Sequence, residues 1–221
     1  TITGTGEAGS TVVITDANGV EVGTATVAED GTYSITTDEL ADGTQNLTIT
    51  STDTAGNTDT ATQSITVDTT TSNSTDITDE SGDNVINASE AATSDIAGNV
   101  EAGSTIDSLT ITDGTNTVTV DAADITLNAD GSYSVDNVDL SSLSDGTLTT
   151  SVTSTDVAGN SATSTDTIEK DTSTDVTADL ASSSDSGSSD TDDITNDNTP
   201  TITGTGEAGS TVVITDANNN E

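Results

Sequence analysis

The chain of 221 residues carries 40 acidic residues against a single basic one, Lys170, for a formal charge of −39, and it has no histidine, cysteine, tryptophan, phenylalanine or methionine. Phosphate groups are bound by the lysines and arginines that it lacks, so nucleic acid and anionic membrane surfaces are excluded as partners. Without Cys or His there is no disulfide, no thiolate metal site and neither the usual zinc ligand nor the usual general base, so catalysis is not expected.

Strands are predicted, in chain order, over 1–6, 10–16, 21–28 and 32–37, with a short one near 38–42, then 45–52 and 60–67. The signal is alternation: Val12 and Ile14, Tyr33 and Ile35, Leu47 and Ile49, and Ile65 and Val67 each alternate with Thr or Ser. Leu109 and Ile111, Val118 and Val120, Tyr133 and Val135, and Leu148 and Val152 continue it further along. Period two with β-branched residues, interrupted by Gly, Asn and Asp, marks half-buried antiparallel strands. Low hydrophobicity (29%) with high charge approaches the composition of disorder, and this patterning is the argument against it. No stretch shows a helical period, and no apolar run approaches the length that spans a membrane.

The chain also repeats itself. Residues 1–18 return letter for letter at 201–218, and a looser copy lies between: EAGST at 7–11 and 101–105, DGTYS at 30–34 against DGSYS at 130–134, STDTAGN at 51–57 against STDVAGN at 154–160. A period of about a hundred residues is an ordinary domain size. The expected organisation is a first unit at 1–68 without its leading linker, a second at 69–171 with an N-terminal acidic linker, and at 172–221 an acidic linker with the first two strands of a third. Two strands cannot bury a core, so 201–221 is expected to be disordered or to borrow a partner by swapping. About seven short strands per unit give the fold class: all-β, tandem immunoglobulin-like β-sandwich domains of antiparallel strands arranged end to end.

The string DNTPTITGTGEAGSTVVITD at 197–216, with EDGTYS at 29–34 and STDTAGN at 51–57, resembles the bacterial Ig-like repeats of giant surface adhesins of the biofilm-associated and RTX type. DNVINASEA at 83–91 resembles the opening of extender repeats in the ice-binding member of that group. The resemblance covers essentially the whole chain. It implies export by type I secretion, an extracellular place on the bacterial surface, and a calcium-stiffened stalk that holds a distal binding domain away from the cell. The segment is expected to be an excerpt of something longer and monomeric, with the neighbouring repeats of its own polypeptide as partners.

Alternation of loops between the two ends of each sandwich makes the acids converge on the joints, an arrangement borrowed by analogy from cadherins. At the first joint, Glu7 and the loop with Asp38, Glu39 and Asp42 are expected beside Asp68. Asp113 and Asp156 come from the second unit, and Asp76, Asp79, Glu80 and Asp83 from the linker. The second joint repeats the plan with Glu101, Asp139, Asp145, Asp171, Asp185, Asp190, Asp192, Asp193 and Asp216. Crowded carboxylates repel one another, and calcium, which takes 6–8 oxygen ligands at about 2.3–2.6 Å in irregular geometry, is the natural cation. Asp30 and Asp130, in DG turns, are expected to form turns rather than bind metal. An EF-hand loop at 79–84 is excluded by the lack of Gly at its sixth position.

Two functions follow. The favoured one is a structural extender whose joints calcium makes rigid. The alternative is a ligand-binding adhesive module for glycan, ice or a cell surface, which would need loop aromatics to stack on sugars. The two tyrosines instead hold the same strand position in both units, beside DG, as core residues do.

Overall fold

The computed structural model describes residues 1–79, 81–189 and 191–220. The first unit has six strands: β1 (Ile2–Thr5), β2 (Thr11–Thr15), β3 (Glu21–Thr26), β4 (Thr32–Ile35), β5 (Gly43–Thr52) and β6 (Thr58–Val67). β1 pairs with β4, and a second sheet runs β3-β2-β5-β6. Alternation places one residue in two inward, so Val12, Ile14, Leu47 and Ile49 of the second sheet meet Ile35 of the first, with Val22 and Val27, in one core. The short strand expected at 38–42 does not form.

The second unit begins where a linker was expected. β7 (Asn73–Thr78) is followed by β8 (Val85–Ile86), the one-turn helix α1 (Ala88–Ala91) and β9 (Ser94–Val100). Then come β10 (Thr105–Thr112), β11 (Thr117–Thr119), β12 (Thr126–Leu127), β13 (Ser132–Val138), β14 (Gly146–Thr155) and β15 (Ser161–Lys170). One sheet is β12-β13-β9-β7 and the other β11-β10-β14-β15-β8. β9, β10, β13, β14 and β15 are thus the counterparts of β1, β2, β4, β5 and β6, and β7 is a strand ahead of that set. Its Asn73 Nδ2 donates to Ser154 Oγ (2.9 Å) and Ala162 O (2.8 Å), tying it to the opposite sheet.

This added strand enlarges the core. Ile77, Ile96, Leu109, Ile111, Tyr133, Val135, Leu148 and Val152 are all buried in one cluster. Tyr133 is 2% exposed and its hydroxyl donates to Ser74 O of β7 (3.1 Å). Tyr33, at the matching position, is only half-buried, and among the described residues no strand covers the edge of β1 away from β4. The lone lysine is also buried: Lys170 donates to Leu143 O (2.5 Å) and sits 3.4 Å from Asp145.

The third segment repeats the opening of the second unit. β16 (Asp179–Leu180) pairs antiparallel with β17 (Ile202–Thr203), and Val176 bridges Gly206, as β7 pairs with β9. Residues 211–215 repeat the sequence of β2 but form no strand, and Val212 and Ile214 are exposed. Their identical counterparts Val12 and Ile14 are fully buried.

Candidate metal centre

Carboxylate oxygens of Asp68, Glu101 and Asp156 lie within 4.8 Å of one another. Asp68 follows β6 and ends the first unit. Glu101 opens the tight turn between β9 and β10, where Ser104 N donates to Glu101 O (3.0 Å). Asp156 opens the turn between β14 and β15. Three stretches far apart in sequence therefore meet where the first unit joins the second.

The cluster is held from behind. Asp156 Oδ1 accepts from the N–H groups of Ala158 (2.8 Å), Gly159 (2.7 Å) and Asn160 (2.8 Å), and Oδ2 accepts from Asn160 Nδ2 (2.8 Å). Burial, the largest single influence, pushes this carboxyl up, but the side-chain and backbone donors of residues 158–160 together outweigh it and hold it below the ordinary value. Asp156 is thus a pre-formed anion. Asn160 Nδ2 also donates to Asp68 O (3.1 Å), so one amide ties the end of one unit to the loop of the next. Ser104, in the same turn as Glu101, is 5% exposed and its hydroxyl has no hydrogen-bond partner among the described residues. Three carboxylates, an orphaned buried hydroxyl and the absence of arginine and histidine from the whole chain fit a hard cation that takes oxygen ligands.

The placement of several other acids differs from expectation, because the strand expected at 38–42 in the first unit does not form and β7 is added at the start of the second. Each change shifts by one the parity on which the loops of its unit were assigned to ends. Glu7 does not lie beside Asp68. It shares a depression with Ser10, Asp53 and Asn57 at the β5–β6 turn. Asp68 lies at the far end of the ten-pair β5–β6 ladder, about 30 Å away. Glu101, expected at the second joint, is the matching residue of the second unit and faces the first joint.

Asp113, expected at the first joint, sits at the trailing end of the second unit, where its Oδ2 accepts from Ser144 N (2.8 Å). Asp145, at that same end, accepts from Thr172 Oγ1 (2.8 Å). Asp76 lies on β7 away from the cluster, its carboxyl raised by burial and then by Asp166. Asp171, the counterpart of Asp68 one repeat later, lines a depression with Asp175 and with Glu207, the counterpart of Glu101.

Asp79 and Asp83 also belong to the trailing end of the second unit, in the connection from β7 to α1. Asp79 Oδ1 accepts from Ser81 N (2.9 Å) and Oγ (2.7 Å), and Asp79 also accepts from Asn84 N. Asp83 Oδ1 accepts from Ser81 Oγ (2.8 Å) and Val85 N (3.0 Å). Asn87 and Glu90 form a capping box at the start of α1. Counted from Asp79, oxygen-bearing side chains fall at positions 1, 3, 5, 9 and 12, the ligand spacing of an EF-hand loop. The sixth residue is Asn84, with φ +64°, so an asparagine takes the left-handed conformation for which glycine was required. The sequence-based exclusion of such a loop does not hold.

Of the remaining acids, Asp216 accepts from Asn218 N (2.8 Å), Asn220 N (2.9 Å) and Asn220 Nδ2 (2.9 Å). Those donors, Asn220 first, lower its carboxyl to about 2. Asp16, in the identical segment, accepts in the same way from Asn18 N and Val20 N. Asp30 and Asp130 accept from the N–H and hydroxyl of Thr32 and Ser132, as turn-formers do. Asp192 accepts from Ile194 N (3.3 Å), and Asp185 is buried. Glu80 and Asp190 lie outside the described residues.

Family comparisons agree with this architecture. A bacterial Ig domain family model matches residues 1–69 and a bacterial Ig-like domain family model matches 171–221, together more than half of the chain. The chain belongs to the bacterial Ig-like domains. Among solved structures it is similar to the tetra-tandem repeat in the extending region of a large adhesion protein (32% identity over 80% of this chain and 47% of that one, TM-score 0.40). It is similar to a Ca2+-stabilized adhesin that helps an Antarctic bacterium reach out and bind ice (32% identity, 83% and 47%, TM-score 0.45). A bacterial immunoglobulin-like domain from the M. primoryensis ice-binding adhesin is 31% identical over 46% of this chain and all of that one, with a TM-score of 0.33. The chain spans about half the length of the first two. No curated protein matches it.

Proposed function

We propose that this segment is an extender of a large bacterial surface adhesin, a stalk whose joints are stiffened by calcium and which projects an adhesive domain from the cell. The observation that carries this reading is the cluster of Asp68, Glu101 and Asp156, because its members come from two successive units. A divalent ion there neutralises carboxylates that otherwise repel, and in doing so links the units. Asp68, Glu101 and Asp156 hold the ion, Ser104 offers a further oxygen, and Asn160 keeps Asp156 and the Asp68 backbone in place. The 79–90 loop is a second calcium site in this reading, with Asp79, Ser81, Asp83, Asn87 and Glu90 as side-chain ligands.

Calcium bound only by the folded chain adds RT ln(1 + [Ca]/Kd) per site, about 2.7 kcal/mol at a hundredfold excess over Kd. That is a large fraction of the stability of any small domain. Export follows the same logic: the chain stays loose in a low-calcium cytosol and folds outside. The test is thermal unfolding of the 221-residue chain in millimolar calcium, in magnesium at matched ionic strength and in chelator. Calcium is expected to raise the midpoint well above the other two conditions, and Asp156→Asn to remove much of that rise. Superimposable melts in all three conditions would refute the reading.

A further inference from the structure

The first unit has an open sheet edge at β1. That strand pairs with β4 on one side, and among the described residues no strand pairs with it on the other. Gly6 N donates to Gly31 O, toward β4, so alternation turns the N–H and C=O groups of Thr3 and Thr5 to the open edge. Unpaired edge groups are a template for another strand. In the second unit β7 fills the equivalent place on β9.

The face beside that edge is open as well. β7 packs on the inner side of β15, where Ala162, Ser164 and Asp166 are half-buried and Ile168 is buried. Their counterparts on β6, Asp59, Ala61 and Gln63, are exposed, and Ile65 is only half-buried. Ile2 is half-buried where its counterpart Ile96 is fully buried.

The chain carries a strand that matches this place. Residues 201–206 repeat 1–6 letter for letter, and β16 lies along them. Thr177 N donates to Thr205 O (2.8 Å) and Ala181 N to Thr201 O (2.9 Å), with Val176 opposite Gly206 and Leu180 opposite Ile202. Alternation sets Val176, Ala178 and Leu180 on one face, with Leu180 in the position that Ile77 holds on β7. In the third segment that face has no core to cover: Val176 is 66% exposed and Ile202 40%. The same register on β1 sets Leu180 opposite Ile2 and turns the three apolar residues to the open face of β6. A Cβ at Gly204 would collide with Thr177 O, and one at Gly98 with Ser74 O; Gly4, the matching glycine of β1, leaves room for the same approach.

We propose that the open edge of β1 binds strand 176–180 of a second copy, antiparallel and in that register, so that copies join head to tail. The main-chain ladder supplies attraction and the apolar alternation supplies register. The contact is heterologous, so each copy keeps a donor strand or an acceptor edge for the next. Residues 1–18 stay in their own unit, unlike a swap in which 201–218 replace them. The pairing needs no calcium, so it stands or falls apart from the joint reading. Two forces oppose it: copies of charge −39 repel, and β17 competes for β16 within one chain. An intramolecular competitor acts at an effective concentration of about millimolar, so association is expected above about 0.1 mM.

Sedimentation velocity of the full chain from about 5 µM to about 0.5 mM spans that threshold. The weight-average mass is expected to rise with concentration, and to fall back when a peptide of residues 174–182 is added in excess. Thr3→Pro removes an N–H that only the open edge uses, so association is expected to vanish while the melting midpoint holds. Val176→Asp, at a site exposed in the single copy, is expected to weaken association by about tenfold or more, because pairing would bury the new charge. A mass that stays at the monomer value across the range overturns the proposal. So does association of undiminished strength in Val176→Asp, which points instead to exchange of 201–218 for 1–18.

Discussion

At the scale of single residues, the second unit turns on a few close approaches and a few pinned carboxylates. Gly98 on β9 is one approach: a Cβ there would collide with Ser74 O of β7 and with the Tyr133 ring and hydroxyl. Gly98→Ala is expected to push β7 off the sheet, costing about 1–3 kcal/mol in urea unfolding, as overpacking does. Gly114→Ala, in open space but at φ +86°, is expected to cost less. Asp113 is the clearest pinned acid. The Ser144 N–H foremost, then the Asn116 N–H and side chain and the Thr115 N–H, hold it far below the ordinary carboxylate range.

Its folded value therefore lies below its unfolded value near 4, so the stabilisation it gives is present above that pH and is lost as pH falls below it. In chelator, wild-type urea midpoints are expected to drop between neutral pH and pH 3, and Asp113→Asn to show a smaller drop. A variant whose acid sensitivity equals the wild type's would mean that the Ser144 contact contributes nothing.

At the scale of elements, much was legible because period-two alternation survives a poor alphabet. Val12 and Ile14, Tyr133 and Val135, and Leu148 and Val152 all face cores as their parity requires. What the sequence hid was β7. Its inward residues are Asn73, Thr75 and Ile77, mostly polar, so no hydrophobic rhythm announces it. It is held instead by Asn73 bonding across to Ser154 and Ala162 and by Tyr133 bonding to Ser74, contacts 59 to 89 residues apart that no local pattern carries.

Missing β7 reversed the ends assigned to Glu101 and Asp113, and counting a strand at 38–42 that does not form reversed the end assigned to Glu7; for Asp156 the two miscounts cancel, and it meets Asp68. The clue was available: EAGST and STDxAGN occur in both units. In each unit the Glu and Asp of these motifs fall at one end, with Glu7 near Asp53 as Glu101 is near Asp156. Asn84 was a second blind spot, since the identity of a residue does not reveal its φ. If 79–90 works as a calcium loop, Glu90→Gln removes its twelfth-position carboxylate while leaving an amide able to complete the capping box. Calcium affinity is then expected to fall by tenfold or more at one site with little change in chelator stability. An unchanged titration would leave Glu90 with capping alone.

At the scale of the whole molecule, a charge of −39 with one cation makes the joints the weakest places in the absence of metal. Each unit has a core of its own, but between units the described contacts are polar, centred on Asn160, Asp68 and Asp156. Without an ion, repulsion among carboxylates sets the angles between units, and repulsion between exposed charges is screened by salt. Raising NaCl from about 10 mM to about 1 M shortens the screening length from about 30 Å to about 3 Å. In chelator, the maximum dimension from small-angle scattering is therefore expected to contract across that range, as a self-repelling chain does.

In calcium the same joints are cross-linked by short ion–oxygen contacts, which lie inside even the shortest screening length, and the dimension is expected to stay constant. Asp156→Asn in calcium is expected to behave like the wild type in chelator, because one joint has been released. A calcium-loaded chain that contracts with salt as much as the chelated one would separate binding from rigidity: the ions would then stabilise individual units and leave the stalk free to bend.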